Sequence, residues 1–277
     1  MKRIFTAFLI VGALPASAAA QQPTVYSSLP LSGASRVQTK AVNDGARRAL
    51  REAGSPVRLV TLNSATPRAG SWTVGRTRAN ARKAAKDAST VAYIGEFNSG
   101  ASKISIPILN RAGIPQISPA NTYNGLTTPV EQGEPGKYYP TGVRTYFRIV
   151  PNDHVQAAAL VTAMRDRGCK ALAFVHDGEV YGKGMHTDAV ATAARFGNRD
   201  PYFVYGYEAM KLILDGLAAS GGTRAGLLGW LPTVQNRQSV LGTYGFDANG
   251  DTTLRTYGLY GVVRKGVLAY DATITAG

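Results

Sequence analysis

The sequence contains few of the residues on which metal sites, disulfides and nucleophilic catalysis depend. It has one cysteine, Cys169, and three histidines among its 277 residues. A single cysteine cannot form an internal disulfide, and no motif marks it as a nucleophile. The histidines lack the spacing of a helical metal pair, and the sequence has neither a Walker loop nor a Gly-x-Gly-x-x-Gly fingerprint. We therefore expect no metal and no cofactor.

A serine hydrolase is the one enzyme class for which the residue types are present. His176 and Asp177 follow a predicted strand, and Ser99 follows another one. No serine lies in a Gly-x-Ser-x-Gly elbow, however, and Ser99 has no adjacent base in the sequence. We expect no catalytic residues and no enzymatic activity.

Long apolar runs are missing except at the N-terminus. Lys2 and Arg3 precede an apolar run from Ile4 to Leu14, and small alanine-rich residues follow up to residue 20. This three-part order is typical of a signal peptide, and the run is too short to span a bilayer. The sequence has no cysteine near the cleavage site, so a lipid anchor there is not indicated. Residues 1–20 are thus predicted to be a signal peptide of a periplasmic or secreted protein.

Acidic residues are scarce relative to basic ones. There are 17 acidic and 31 basic residues, a formal charge of +14, which becomes +12 when Lys2 and Arg3 are removed. No aromatic residues lie between the basic residues of the helix predicted at about 73–88, and the sequence has no nucleic-acid-binding motif, so we expect no nucleic-acid partner. Attraction to anionic lipid, to a cell-wall polymer or to a partner protein is equally compatible with this charge. Much of it lies on a helix predicted from about Thr73 to Ala88, as Arg76, Arg78, Arg82, Lys83 and Lys86.

Strands and helices alternate in the first half of the chain. A helix from about Lys40 to Ala53 is indicated by apolar residues at every fourth position and by the stop at Gly54. Such alternation predicts a mostly parallel sheet covered by helices on both faces. The predicted strands are Thr24–Leu29, Val57–Leu62, Val91–Ile94 and Pro115–Ile117, and a helix is predicted at about 101–111.

The second half begins with a proline- and glycine-rich segment, 123–144, which we expect to be a surface excursion. Strand 146–150 leads to Asp153, a natural cap for a helix that extends to Arg167. A helix over 200–222 is indicated by Pro201 in its first turn and Gly221 at its end. Further elements are predicted as strands 171–176, 257–263 and 267–270 and as a helix over 183–196.

Polar loops follow two neighbouring strands at the point where each strand ends. Strand 91–94 continues into Gly95–Ser102, and strand 115–117 continues into Ser118–Thr122. Ligands of open α/β sheets bind at such carboxyl ends. A helix starting near Ser99, capped by Asn98 or Ser99, presents amide protons to an anion such as a carboxylate. The alternative is that Ser99 is only a cap and that Ser118-Pro119 only ends a strand.

The amino-acid sequence of these loops resembles that of the periplasmic branched-chain amino-acid-binding proteins, the solute receptors of ABC importers. The resemblance implies an α/β fold of the periplasmic-binding-protein type I, with two doubly wound lobes, parallel sheets and hinge crossovers. It spans most of the mature chain in the family's order. The segments that carry it are 25–33, 95–102, 112–122, 175–184, 205–209 and 246–251.

The resemblance also implies a division of the chain into lobes. Lobe one takes residues 21–145 and 199–245, and lobe two takes residues 146–198 and 246–277. Only about fifty residues separate Val150 from the expected crossover helix, whereas a doubly wound lobe needs roughly 100. We infer an internal deletion near 195–199 that leaves lobe two truncated, with exposed sheet edges that favour a dimer.

Ligand contacts carry over from the family residue by residue. Ser99, Ala120 and Thr122 match positions that contact the ligand's charged end. Tyr181 matches a lobe-two aromatic, although it is as well explained as a turn tyrosine packed on its own loop. The acidic residue that the family uses to bind the ligand ammonium falls in the missing stretch. Glu96, Asp177 or Glu179 would have to take its place. The ligand-binding residues expected are Asn98, Ser99, Ala120, Asn121, Thr122 and Tyr181.

The resemblance implies a function as well as a fold. The expected protein captures an amino acid, of branched-chain type or similar, in a cleft between the lobes. It delivers the ligand to the permease of an ABC importer and touches the membrane complex only peripherally. Two alternatives stay open: a truncated paralogue acting as a sensor or scaffold, and a fragment without function.

Overall fold

The computed structural model describes residues 21–167, 176–192, 202–263 and 267–275. A central sheet is built from β1 (Thr24–Leu29), β2 (Arg58–Asn63), β3 (Thr90–Ile94), β4 (Gln116–Ser118) and β5 (Tyr146–Arg148). The helices are α1 (Arg36–Glu52), α2 (Val74–Lys86), α3 (Ser99–Arg111), α4 (Asp153–Asp166), α5 (Val180–Thr192), α6 (Tyr202–Ala219) and α7 (Arg224–Trp230). The remaining strands are β6 (Arg237–Ser239), β7 (Gly242–Tyr244), β8 (Thr256–Val263) and β9 (Val267–Thr275).

The central sheet is parallel throughout, with the strand order β2-β1-β3-β4-β5. Helices α1 and α6 share one apolar core with the sheet, and α2 and α3 share another on its opposite face. All residues of β1 and β3 are buried, as expected for strands covered on both faces. The predicted parallel α/β arrangement is confirmed, and it places the ends of β3 and β4 side by side.

Helices α1 and α6 pack closely against each other on one face of the central sheet. Apolar Val42, Ala46 and Ala49 of α1 are fully buried at this contact. The helices meet at Gly206, where an added Cβ would lie only 2.1 Å from the carbonyl oxygen of Val42. The two backbones therefore approach as closely as a glycine allows.

The segment 123–144 is only in part the surface excursion that its proline and glycine content predicts, because residues 129–133 and 140–143 are exposed and others are buried. Tyr123, Leu126 and Tyr138 are buried in a small apolar cluster with Ile106 of α3. Glu134 lies in the same cluster. Burial alone would raise the pKa of its carboxyl, but hydrogen bonds from Tyr138, Lys103 and Tyr123 hold that pKa at about 2. The aromatic residues, which sequence patterning did not weigh against the turn residues, fold this segment onto α3.

The boundary predicted between residues 145 and 146 falls immediately before β5, which belongs to the central sheet. β5 pairs with β4 in the central sheet, and Phe147 stacks edge-on against Phe246 at 5.3 Å between ring centroids. Phe246 and Leu254 also lie in the core of the central sheet, although residues from 246 onward were assigned to lobe two. The sequence of a three-residue edge strand before a crossover does not indicate the lobe to which the strand belongs. The rest of the predicted division stays a prediction.

Lobe two is described in part, as α4, α5 and the antiparallel pair β8–β9. Tyr257 of β8 joins it to the crossover by donating a hydrogen bond to the Pro151 carbonyl oxygen at 2.8 Å. Residues 171–175 of a predicted strand, the inferred deletion point and the predicted signal peptide lie outside the described residues. Among the helices that are described, none is both long and apolar enough to cross a membrane.

Candidate functional site

The first turn of α3 lies at the carboxyl edge of the sheet, directly after β3. Asn98 is the N-cap residue with extended backbone, and Ser99, the first helical residue, is 1% exposed. The amides of Ser99 and Gly100 have no partner within the helix, as in any first turn. The Asn98 side chain makes no capping bond, and its buried Oδ1 has no hydrogen-bond partner. The turn therefore presents amide donors that its own cap residue does not use.

An indole ring covers this turn. A Cβ at Gly100 would lie 2.8 Å from an edge carbon of Trp72 and 3.4 Å from a methyl of Val180. Trp72 comes from the segment between β2 and α2, and its Nε1 donates to Oε2 of Glu179 at 3.2 Å. Trp72 and Val180 thus both lie against the first turn, and only glycine fits at position 100 without a shift of the indole.

The residues after β4 complete the site. The Tyr123 amide donates to Ser99 Oγ at 3.4 Å, and the Asp153 amide donates to the Thr122 carbonyl oxygen at 2.7 Å. Thr122 is 5% exposed, and its hydroxyl has no hydrogen-bond partner. The structure therefore brings Ser99, Thr122 and Asp153 together, although 54 residues separate the first from the last in the chain.

Asn121 holds these loops in place. Its Oδ1 accepts hydrogen bonds from Ser102 and, at 3.2 Å, from the Tyr146 hydroxyl. Its Nδ2 donates to the Phe97 carbonyl oxygen at 2.9 Å. The side chain thus links the loop after β3, helix α3 and β5, which is a positioning role. A direct ligand contact by Asn121, or by its buried neighbour Ala120, stays a prediction.

Asp153 is the acidic residue that the sequence analysis did not assign to the site. Its carboxylate is fully buried, and neither oxygen has a hydrogen-bond partner. Burial raises the pKa of this carboxyl to about 7, although the neighbouring Thr122 hydroxyl and the charge of Arg148 oppose the rise. A Cβ at Gly184 of α5 would lie 2.5 Å from Oδ2, so the carboxylate faces α5. The sequence identified Asp153 only as a helix cap, because capping and ligand binding favour the same residue type.

The three acids that the sequence offered for an ammonium group have other roles. Glu96 is buried below the site, where Tyr93 and Ser28 donate to its carboxylate oxygens at 2.7 and 3.1 Å. Glu179 accepts from Trp72, as described above. Asp177 is exposed and accepts from the amide of Glu179 at 2.9 Å. None of them takes the position of Asp153 beside Thr122.

Tyr181 lies at the start of α5 and is 40% exposed. Its hydroxyl accepts a hydrogen bond from Nε2 of Gln156 in α4, at 3.1 Å. Its chain neighbour Val180, rather than Tyr181, reaches the first turn of α3. The ligand contact predicted for Tyr181 stays a prediction.

A buried ion pair supports the site from below. The Arg148 guanidinium is fully buried, and its Nε donates to Oδ1 of Asp251 at 2.7 Å. Nη1 donates to the carbonyl oxygens of Asn121 and Tyr123, at 3.3 and 2.9 Å. Arg148 thereby fixes the backbone on both sides of Thr122, which sequence patterning did not predict because an arginine in a strand usually faces solvent.

Comparison with known proteins shows the family of this chain. The profile of the family described as "Receptor family ligand binding region" matches residues 58–199, just over half of the chain. The chain belongs to this family. No match was found among curated proteins.

Solved structures with the fold of this receptor family cover nearly the whole chain. A leucine-binding protein, LivK, from Thermotoga maritima is 16% identical, with a TM-score of 0.72 over 91% of this chain and 99% of that one. A substrate-binding protein of an ABC transporter from Desulfitobacterium hafniense, in complex with Leu, is 17% identical, with a TM-score of 0.69 over 91% and 100% of the two chains. A solute-binding protein from R. palustris, in complex with benzoate, is 14% identical, with a TM-score of 0.72 over 93% and 98%.

At these identities the likeness shows the fold. The expected type I periplasmic binding fold is confirmed. All three neighbours are described as binding proteins, and two were solved with a small carboxylic acid bound. Together with the family match, this makes the chain a ligand-binding region whose candidate site lies at the carboxyl edge of the sheet.

Proposed function

We propose that the chain is an extracytoplasmic solute-binding protein that captures an amino acid, of branched-chain type or similar, for an ABC importer. The observation that carries the proposal is the pairing of two features. One is the first turn of α3, where unused amide donors favour a carboxylate. The other is the buried carboxylate of Asp153, which has no partner and favours a cation.

Helix α5 borders both features. Val180 contacts the α3 turn, and Gly184, one turn further along α5, lies against the Asp153 carboxylate. An amino acid carries its carboxylate and its ammonium on one carbon, so a site for it needs anion donors and an acid close together, each making charge-assisted hydrogen bonds. Asp153 thus supplies the ammonium partner that the sequence analysis assigned to the missing stretch.

Delivery to an importer is supported by the neighbours described as parts of ABC transporters and by the N-terminal residues that predict export. Ligand binding distinguishes this proposal from the two alternatives, a sensor or scaffold and a fragment without function. Enclosed ligand would raise the midpoint of thermal unfolding because only the folded state binds it.

The first test is thermal unfolding of residues 21–277 with a panel of amino acids at millimolar concentration. A cooperative transition that moves up with one or a few amino acids supports the proposal. A cooperative transition that no amino acid moves contradicts it and favours the sensor or scaffold. A chain without a cooperative transition is the fragment without function.

Substituting the buried acid tests the assignment of Asp153. With the amino acid that binds, D153N should weaken affinity by 10- to 100-fold, since the ammonium loses its charged partner. The same variant should bind the matching carboxylic acid without an amino group as well as the unchanged protein does. The control is D177N, which removes an equal charge from an exposed position and should leave both affinities unchanged. Equal weakening of both ligands by D153N would show a structural role instead.

The affinity should also depend on pH. The pKa of Asp153 is raised, so the carboxyl is increasingly protonated as the pH falls below about 7, and a neutral acid attracts an ammonium weakly. The charged groups that face it are Arg148, which lowers the pKa, and Asp188, which raises it and is 3.0 Å from His154. Titration of the affinity between pH 5 and 8 checks this, and an equally pH-dependent D153N would contradict it.

A further inference from the structure

An uninterrupted stretch of the chain carries only positive charge. Between Ala53 and Lys86 there is no acidic residue, and seven arginines and lysines are present. Five of the seven lie on α2, and all five are exposed. We name this surface the α2 basic face, consisting of Arg76, Arg78, Arg82, Lys83 and Lys86.

The α2 basic face covers most of the solvent side of its helix, and the exposed Val74 at the helix start lies outside it. With 3.6 residues per turn, its five cations fall within about 160° of the helix circumference. The buried residues Thr77, Asn80, Ala81 and Ala84 occupy the opposite arc. Within the described part of the chain, none of the five forms an ion pair at 4.0 Å or less.

On α1, by comparison, three of the five cations form ion pairs. Lys40 and Arg47 pair with Asp44, and Arg48 pairs with Glu52 at 2.8 Å. On α2 the helix dipole favours Lys83 and Lys86 in the last turn, but it disfavours Arg76 in the first turn, which has no acidic residue. Helix stability therefore explains at most two of the five charges of α2.

We propose that the α2 basic face binds the anionic headgroups of a lipid membrane surface. Lipid headgroups are mobile and adapt to cations that are spread over half a helix. A protein partner would need a buried apolar or aromatic centre, and between the cations this face carries only Gly75 and Ala79 as exposed nonpolar residues. Single-stranded nucleic acid would need aromatic side chains on which bases stack, and α2 has none.

Binding of this kind is electrostatic and shallow. Each lysine or arginine near an anionic surface strengthens binding by roughly five-fold, and the effect falls off within a Debye length of about 10 Å at 0.1 M salt. Without large apolar side chains to insert, the protein stays at the headgroup level. Five cations on one face thus hold the binding protein near a membrane without anchoring it.

The test is co-sedimentation of residues 21–277 with vesicles of phosphatidylcholine alone or with 30% phosphatidylglycerol. We expect binding only to the anionic vesicles, and its loss as NaCl rises from about 0.05 to 0.5 M. The triple variant R78Q/R82Q/K86Q should lose roughly 100-fold in affinity. A second variant, R76Q/K83Q/K86Q, should lose affinity for the anionic vesicles by a similar factor. It keeps the test decisive if the first variant fails to fold.

The matched control is K40Q/R47Q/R48Q, which removes the same charge from α1. It should keep vesicle binding within about five-fold of the unchanged protein. Equal losses on α1 and α2 would overturn the proposal, because net charge rather than this face would then be responsible. Binding to a soluble acidic polymer or protein without binding to anionic vesicles would also overturn it.

Discussion

At the scale of single residues, Glu96 shows how burial changes the chemistry of a carboxyl group. Its side chain is fully buried beneath the candidate site, and burial raises its pKa to about 8, although hydrogen bonds from Tyr93 and Ser28 oppose this rise. Ser28 is itself held by Nδ2 of Asn80 at 3.0 Å. At neutral pH the group is therefore mostly protonated and acts as a neutral hydrogen-bonding residue of the core.

The stability of the protein should fall as the pH rises because of Glu96. Its folded-state pKa lies above the unfolded value of about 4.5, so between these values the folded state holds the proton more tightly. The expected decline from pH 5 to pH 8 is on the order of 2–4 kcal/mol. E96Q, which mimics the neutral acid, should remove the Glu96 share of the decline in urea unfolding, whereas the share of the buried Asp153, whose pKa is raised to about 7, remains.

The control for Glu96 is an acid at an exposed position. E131Q changes an exposed carboxylate and should leave the slope of stability against pH unchanged. An E96Q protein whose stability declines with pH as steeply as that of the unchanged protein would contradict the assignment.

At the scale of elements, the contact between α1 and α6 depends on Gly206. An alanine Cβ there would overlap the Val42 carbonyl, which is backbone and cannot rotate away. We expect G206A to destabilise the protein by about 1–3 kcal/mol, the usual cost of overpacking. Unfolding in urea measures the change.

Gly229 in α7 provides the matched variant. An added Cβ there would meet no atom within 4 Å. Since alanine favours a helix over glycine, G229A should be neutral or stabilise by up to about 1 kcal/mol. If G206A were as mild as G229A, the two helices would not be in the close contact described.

At the scale of the whole molecule, Arg148 and Asp251 join segments more than 100 residues apart. Asp251 accepts from Arg148, from Thr127 at 3.1 Å and from Asn152 at 3.2 Å. The pair thus connects the central sheet, the segment after the candidate site and the crossover toward α4.

Removing one partner of this pair leaves a buried charge alone. We expect D251N or R148M to destabilise the protein by about 3–5 kcal/mol. The double variant R148M/D251L should be less destabilised than the sum of the single changes, because no unpaired charge remains. Additive effects in urea unfolding would contradict direct coupling of the two groups.

Much of the fold could be predicted from local sequence patterns. β1 was predicted at its observed bounds, and α2 and α4 within two residues of theirs, because apolar periodicity, caps and breakers act within a few residues. Parallel topology in the same way predicts a site after β3 and β4, and that site stays a prediction. The burial of part of segment 123–144 and the pairing of β5 with β4 could not be predicted, since aromatic packing and edge pairing depend on distant partners.

The sequence by itself determined the alternating α/β order, the excess of positive charge and the candidate carboxylate site at Ser99, because each depends on residue types that are near one another in the chain. Only the tertiary structure decided which acid meets Thr122, which indole covers α3 and what stabilises Arg148. The costs of burying a charge and of leaving it unpaired arise only when distant segments exclude water together.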